Sequence, residues 1–139
     1  MTTKEFRDAC LKQATWYIHW ELWQAAHELG LTRRETTLGY SLDLKLPDGG
    51  EITVFQGVVN GLRLPLWHMW PHGVDTDITD EYREYVNAIV PLTDAEKEPS
   101  GEFPADFDAT KADVLRMVLG QVVHRIRQET AVEKELVDS

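Results

Sequence analysis

A stretch of ten residues, 37–46, alternates strictly between large apolar residues and small or polar ones. The apolar set is Leu38, Tyr40, Leu42, Leu44 and Leu46, and the residues between its members are Gly39, Ser41, Asp43 and Lys45. Alternation with a period of two is typical of a β-strand that has one buried face. Such a strand must pair with other strands, and its apolar face must be covered. The stretch therefore predicts a sheet packed against helices.

Two turn signals place further strands directly after the first. Pro47–Gly50 combines a proline that presets φ with two glycines that allow positive φ, and Asn60-Gly61 is a strong hairpin signal. We therefore predict strands over 51–59 and 62–69, which completes a three-stranded antiparallel β-meander. Pro65 has no N–H donor, and this predicts that the third strand lies at the sheet edge.

The register of the meander follows from its two turns. The first turn places Leu42 opposite Phe55 and Tyr40 opposite Gly57. A two-residue hairpin places Phe55 opposite Leu66. Both registers bring the aliphatic side chains to one face, and a slip of one residue would destroy that agreement. We also expect the Tyr40 ring to fill the gap left by the missing side chain of Gly57.

A long N-terminal helix is the predicted cover for the aliphatic face. Thr2 and Glu5 form a capping-box pattern, and Gly30 suits the end of a helix that runs to about Leu29. One stripe of this helix contains Trp16, Trp20, Trp23 and His27, and a nearly opposite stripe contains Ile18, Leu22, Ala25 and Leu29. We favour a middle layer, with the aliphatic stripe under the sheet and the Trp stripe under the last helix. The alternative is a Trp stripe that forms part of a partner-binding or self-association surface.

The second half of the chain predicts a short helix and a loop. The helix spans 77–90 and is capped by Asp77 or Thr79. The acidic loop that follows, 92–108, contains prolines and a glycine, and Phe103 and Phe107 are expected to anchor it to the core.

A long last helix is predicted to start at a cap formed by Asp108 or Thr110. Its apolar stripe consists of Val114, Leu115, Val118, Leu119, Val122, Val123 and Ile126. The length of the chain predicts one α+β domain over 1–128, followed by a charged C-terminal tail over 129–139 that frays.

The acidic charge of the chain is concentrated in one segment. The net charge is −10, and the segment from Asp75 to Asp108 contains eleven acidic and two basic residues, so it alone carries −9. Direct binding to a nucleic acid backbone is disfavoured, because that interaction needs clustered Lys and Arg. A basic protein partner is favoured. The alternative is that the segment is simply a solvated connection.

The predicted partner-binding residues are most of these acids together with two apolar residues at the end of the third strand. They are Asp75, Asp77, Asp80, Glu81, Glu84, Asp94, Glu96, Glu98, Glu102, Trp67 and Met69. We accordingly predict a non-catalytic protein-binding module that uses an acidic surface to engage a more basic protein. Inhibitors, immunity proteins, antitoxins, phage-encoded blockers and chaperones bind in this way.

A second hypothesis is a small enzyme or ligand-binding protein with a pocket lined by aromatic and histidine side chains. The pocket would contain Trp20, Trp23, His27, Trp67 and His68. The chain has no phosphate-binding loop, dinucleotide motif or nucleophile elbow, so no catalytic residue is assigned. A third hypothesis is a structural homodimer through the Trp stripe.

No metal or cofactor is predicted. Asp75–Asp80 begins like a calcium loop, but the chain has Asp80 and Val86 where the loop needs Gly and Glu, so helix capping is the favoured interpretation. The single cysteine, Cys10, excludes an internal disulfide. Without a signal-peptide pattern or a long apolar stretch, we expect a cytoplasmic location and no membrane contact.

The size, the low pI and the helix followed by a meander resemble the acidic class of type III secretion chaperones. The chain departs from that class because it lacks a second strand pair between its last two helices, so no residue role follows from the resemblance. The order of elements also resembles a double-stranded-RNA domain, but the charge has the opposite sign.

Overall fold

The computed structural model describes the backbone of residues 1–138 and the side chains of residues 1–130. In this part the chain forms five α-helices and five β-strands, which confirms the α+β class. In chain order the elements are α1 (Thr3–Gln13), α2 (Trp16–Glu28), β1 (Thr32–Glu35), β2 (Gly39–Lys45), β3 (Glu51–Val58), β4 (Gly61–Arg63), α3 (Leu66–Met69), a 3-10 turn (Trp70–His72), α4 (Thr76–Asn87), β5 (Ser100–Glu102) and α5 (Ala109–Asp138). The predicted fraying tail over 129–139 stays a prediction, because most of its side chains lie outside the described residues.

The sheet is larger than the predicted meander. It has five antiparallel strands in the order β1-β2-β3-β4-β5, so every strand pairs with its neighbours in sequence. β1 occupies a segment for which no strand was predicted, and β5 lies within the predicted acidic loop. Both are short edge strands with charged residues, a common protection against edge-to-edge association, and such strands lack the apolar alternation that identifies a central strand.

The predicted pairing of β2 with β3 is confirmed in its first half. Tyr40 lies opposite Gly57 and Leu42 lies opposite Phe55. A Cβ atom on Gly57 would overlap the Tyr40 ring, so the ring does fill that gap. Beyond Leu42 a β-bulge shifts the register by one residue, with Val54 as the extra residue on β3.

Helix α4 supplies a hydrogen bond at this bulge. The buried Tyr82 hydroxyl donates to the Val54 carbonyl at 2.8 Å. Burial raises the pKa of Tyr82 well above its ordinary value, so the hydroxyl keeps its proton and remains a donor. The bulge therefore lies where the sheet contacts α4.

The prediction of a third strand over 62–69 is wrong. β4 ends at Arg63 and lies between β3 and β5, so Pro65 is not in an edge strand. The hairpin pairs Val58 with Gly61, which is two residues away from the predicted register. A Cβ on Gly61 would overlap the Gly101 carbonyl oxygen, so this glycine allows β5 to approach closely instead of forming the turn.

The predicted N-terminal helix is divided into α1 and α2. Ala14 adopts the left-handed conformation with φ of 60°, and the Thr15 N–H donates to the Cys10 carbonyl at 3.0 Å. The Thr15 hydroxyl donates to the Val59 carbonyl at 2.6 Å and so attaches the break between α1 and α2 to the end of β3. The break lets α1 fold back and bury Phe6 against the same core as α2.

The helices cover the Tyr40 face of the sheet. The aliphatic stripe of α2 is buried as predicted, through Ile18, Leu22 and Ala25. The α5 stripe is largely buried against α2 and α4, through Ala112, Leu115, Val118, Leu119, Val122, Val123 and Ile126. By contrast, the Trp stripe is covered in part by α1 and β1, where the Trp23 ring stacks on Phe6 and lies beneath the Arg33 guanidinium.

The opposite face of the sheet is polar. The pairing of all five strands places five polar residues side by side in one row that we call the cross-sheet row: Arg34, Ser41, Gln56, Arg63 and Ser100. Beside this row, the buried Asp43 carboxylate accepts hydrogen bonds from Arg34 at 3.0 Å and from Thr53 at 2.8 Å.

Candidate functional site

Helix α4 is built so that one face is apolar and the other is acidic. The Asp75 carboxylate caps the helix by accepting a hydrogen bond from the Asp77 N–H at 2.9 Å. The cap is therefore neither Asp77 nor Thr79, the two predicted residues, and it lies two residues before the first of them. The residues that face the core are Ile78, Thr79, Tyr82 and Val86. Asp77, Asp80 and Glu84 are exposed and follow one another at intervals of three and four residues, so they form one acidic stripe.

Four of the eleven acids in the segment are engaged within the protein. Asp75 and Asp108 cap α4 and α5. The Asp106 carboxylate accepts from the Lys111 ammonium at 2.7 Å. Glu81 forms an ion pair with Arg125 of α5, so this predicted partner-binding residue joins two helices instead of facing outward.

The other seven acids make no hydrogen bond or ion pair through their carboxylates within residues 1–130. They are Asp77, Asp80, Glu84, Asp94, Glu96, Glu98 and Glu102. All are exposed except Glu98, which is half-buried. Their negative charge is therefore compensated by solvent and by no described side chain.

Residues 91–99 hold three of these acids close to the end of α4. The Arg83 guanidinium donates to the Thr93 carbonyl at 3.0 Å and ties the loop to the helix. The Trp67 N–H donates to the Lys97 carbonyl at 3.2 Å and ties the loop to α3. We call Asp77, Asp80, Glu84, Asp94, Glu96 and Glu98 the acidic surface.

An exposed aromatic residue of α4 lies beside the acidic surface. Tyr85 is 43% exposed. The negative charge of Glu81, a hydrogen bond to the same carboxylate and the charge of Glu84 raise the pKa of Tyr85. Tyr85 is therefore an accessible aromatic ring beside two carboxylates, Glu81 and Glu84. The signal that could have identified it is its position one residue after Glu84, outside the narrow stripe of Ile78, Tyr82 and Val86.

The two apolar residues of the predicted surface have different environments. Trp67 is 43% exposed, and its ring lies 4.0 Å from the His68 ring. Met69 is completely buried in the core, so it offers a partner no accessible surface. The reason is that residues 66–69 form a helical turn, in which alternation between two faces no longer applies.

The residues of the alternative Trp/His pocket are distributed over two elements. Trp20, Trp23 and His27 lie on α2, whereas Trp67 and His68 lie on α3. Three cavities that we describe, between α4 and α5, between α2 and α5 and along β4 and β5, are lined by none of the five residues. Trp23 packs against other aromatic rings, and His27 is exposed in the last turn of α2.

The histidine with the most unusual environment is His19. It is fully buried, with Nδ1 2.7 Å from the Tyr40 hydroxyl and Nε2 3.4 Å from the Val59 carbonyl. Because a carbonyl can only accept, Nε2 carries the proton and Nδ1 accepts from Tyr40. Burial lowers the pKa of His19 to about 4, so the ring is neutral at pH 7. This arrangement is a satisfied polar contact in the core, and hydrophobic periodicity gives no sign of it.

Among the described residues, no group of three or more His, Cys, Asp or Glu side chains is placed to hold a metal ion. None of the described helices combines the length and the apolar character that a membrane crossing requires. Comparison of the chain with protein-family models, with curated proteins and with solved structures found no match.

Proposed function

We propose that the protein is a non-catalytic binding module whose acidic surface engages a basic protein. The observation that carries this proposal is the set of exposed carboxylates without a partner on α4 and the following loop. Outside residues 75–108, four of the ten described acids form an ion pair, among them Glu21 with Arg116 at 2.8 Å, whereas no acid of the acidic surface does. The acidic surface leaves its charge available to another molecule.

The spacing of the acidic stripe places like charges close together, and their repulsion destabilises α4. Asp77 and Asp80 are three residues apart, and Asp80 and Glu84 are four apart, so each pair lies close on the helix. Like charges at these spacings destabilise a helix by roughly 0.2–0.5 kcal/mol per pair. A cationic partner would remove this repulsion on binding, and the negative potential would also accelerate its approach.

The surface has a second property that suits a protein partner. Tyr85 and Trp67 are accessible aromatic residues at its margins, and such residues contribute much of the binding energy in protein interfaces. Charge alone supplies steering and specificity, whereas a buried aromatic ring supplies affinity. The combination fits inhibitors, immunity proteins, antitoxins, phage-encoded blockers and chaperones.

The test is a comparison of two triple variants in affinity capture from an extract of the source cells. One variant carries Asp77→Asn, Asp80→Asn and Glu84→Gln. The matched control carries Asp8→Asn, Glu51→Gln and Asp113→Asn, which are exposed acids on other elements. Both variants lose three negative charges, and they differ in the position of the change and in the exposed ion pair of Asp8 with Arg7 at 3.7 Å, which only the control removes.

We expect the wild type and the control to retain a basic protein at low salt and to release it at about 0.5 M salt, because screening weakens exposed charge pairs. The acidic-stripe variant should lose that protein at low salt. Equal capture by all three proteins, or capture that salt does not affect, would rule out an acidic docking surface.

A second candidate, a homodimer, is favoured by exposed apolar residues on α2 and α5. They are Tyr17, Trp20, Val114 and Met117. Trp20 is 49% exposed, and a Trp of this accessibility is a common anchor in interfaces. Sedimentation at increasing concentration tests the dimer, which Trp20→Ala should weaken. A mass that stays monomeric at all concentrations would exclude it.

A further inference from the structure

Arg63 differs from every other arginine of the chain. All eight arginines lie within residues 1–130, and the other seven form an ion pair or a hydrogen bond through the guanidinium. Arg63 has no such partner within that part of the chain, although it is half-buried on the inner strand β4. A partly desolvated cation is costly without an anion or acceptor, so Arg63 is the one arginine within residues 1–130 whose guanidinium leaves all its donors available to a ligand.

The neighbours of Arg63 in the cross-sheet row also have unused hydrogen-bonding groups. Gln56 and Ser100 flank Arg63 on the adjacent strands, and their side chains make no hydrogen bond to described residues. Next in the row, the Ser41 hydroxyl is completely buried and has no partner among the described residues. Buried polar groups are normally paired, so the Ser41 hydroxyl is an exception, whereas Gln56, Arg63 and Ser100 are half-buried and keep donors that a ligand could use.

A groove opens directly beside this row. Its volume is about 660 Å³, and Arg63 and Ser100 contribute to its wall. Most of the remaining lining is apolar and comes from Val58, Leu62, Pro91, Leu92, Phe103 and Pro104. A volume of several hundred Å³ with apolar walls and a few convergent polar groups is typical of small-molecule sites.

The second charged residue of the groove restricts the charge of the ligand. Glu102 lines the groove and lies two residues along β5 from Ser100, the partner of Arg63. The two charged side chains form no ion pair. One guanidinium can hold one carboxylate through two parallel N–H donors, whereas the nearby Glu102 disfavours a dianion such as phosphate.

We propose that the groove binds a monocarboxylate with an apolar body. The carboxylate accepts from Arg63, with Ser100 as an additional donor, and the apolar body lies along Leu92 and Phe103. The ligand is either a free small acid or the C-terminal carboxylate of another chain, since both present the same chemistry. The groove adjoins the acidic surface at Thr93, but its donors Arg63 and Ser100 lie on β4 and β5 and do not belong to that surface.

Calorimetric titration of the intact protein with two matched pairs of compounds tests the proposal. The first pair is octanoate and octan-1-ol, and the second is N-acetyl-leucine and N-acetyl-leucinamide. We expect a carboxylate to bind at least about ten-fold more tightly than its uncharged analogue, because a charge-assisted bidentate contact is lost in the analogue. Tighter binding of octanoate indicates a free acid, and tighter binding of N-acetyl-leucine indicates a chain terminus. Absence of binding by both acids, or equal binding of the uncharged analogues, would overturn it.

Substitution of the guanidinium locates the site. Arg63→Gln should weaken binding of the better acid at least about ten-fold, whereas Arg7→Gln, the same change on an exposed arginine of α1, should leave it unchanged. Arg63→Lys keeps the positive charge but removes the two parallel N–H donors of the guanidinium, so it should weaken binding by an intermediate amount. Thermal unfolding of each variant checks the fold. Equal affinity of all four proteins would contradict the assignment.

Amide chemical shifts supply a readout that does not depend on any variant. On addition of the better acid, the largest changes should occur at Thr93, Gly101 and Phe103, which line the groove. Largest changes at Trp20 and Met117 would instead place the ligand on the exposed apolar residues of α2 and α5 and would refute the groove.

Discussion

The N-terminal aromatic cluster and the acidic surface use their side chains in opposite ways. In the cluster, the rings of Phe6, His19, Trp23 and Tyr40 contact one another, with centroid distances between 4.9 and 6.1 Å. On the acidic surface, the carboxylates contact no described cation. Trp23 and His19 belong to residue types that are common in binding sites, but they are structural here, and the groups without partners are better indicators of function.

The aromatic cluster should therefore contribute to stability, whereas the acidic surface is proposed to contribute to binding. Edge-to-face aromatic pairs contribute roughly 0.5–1.5 kcal/mol each beyond the burial of their area. The exposed carboxylates contribute no contact and repel one another. Substitutions in the cluster should lower the free energy of unfolding, and neutral substitutions on the acidic surface should leave it unchanged or raise it slightly.

The largest effect is expected at Phe6. It is buried and contacts three other aromatic rings, so Phe6→Ala removes a ring and leaves a cavity. We expect the free energy of unfolding to fall by about 4 kcal/mol, measured by urea denaturation. Trp20→Ala, which truncates an exposed ring on α2, is the control and should cost much less. Similar losses in both variants would mean that the cluster has no special role in stability.

The next effect concerns pH and His19. Its pKa is lowered to about 4 in the folded protein from an ordinary value of 6.5, so the unfolded chain binds a proton more readily. Stability is therefore retained above about pH 6.5 and is lost as pH falls toward 4, by about 3 kcal/mol in total.

Urea denaturation at several pH values between 7 and 4 measures this loss. The substitution His19→Gln should lower stability at pH 7 but flatten its dependence on pH in that window. His27→Gln, on the exposed side of α2, is the control and should keep the dependence of the wild type. If His19→Gln follows the wild-type slope, the buried ring is not the group that titrates.

The smallest effect compares two neighbouring acids at the start of α4. Asp75 caps the helix, whereas the Asp77 carboxylate contacts no described residue. Asp75→Ala should lower the free energy of unfolding by about 1 kcal/mol, because one backbone N–H loses its acceptor. Asp77→Ala should change it by less than about 0.5 kcal/mol. Equal losses would show that the carboxylates of this segment share a structural role.

Local patterns in the sequence identify much of the sheet. Alternation in 37–46 locates β2, and the turn at Pro47–Gly50 sets the pairing of Tyr40 with Gly57. The hairpin register is displaced by two residues, but Leu62 still lies on the predicted face because a shift of two conserves the direction of every side chain. Periodicity therefore predicts faces more reliably than it predicts partners.

The concentration of acidic residues between Asp75 and Asp108 is also visible in the sequence. The sequence does not show which of these acids are available to a partner. Glu81 and Asp106 form ion pairs with Arg125 and Lys111 of α5, and these pairs depend on where α5 packs or begins. Met69 illustrates the same limit. It was predicted to lie in a strand, but residues 66–69 form a helical turn that places its side chain in the core.

The sequence by itself determined the α+β class, the strands β2 and β3, the aliphatic stripes and the acidic character of the segment from Asp75 to Asp108. These features depend on contacts between residues that are near in sequence or on simple periodicity. Only the tertiary structure decided the break at Ala14, the bulge at Val54, the edge strands β1 and β5 and the isolation of Arg63. Each of these depends on atoms from distant segments, and their positions follow from packing instead of local propensity.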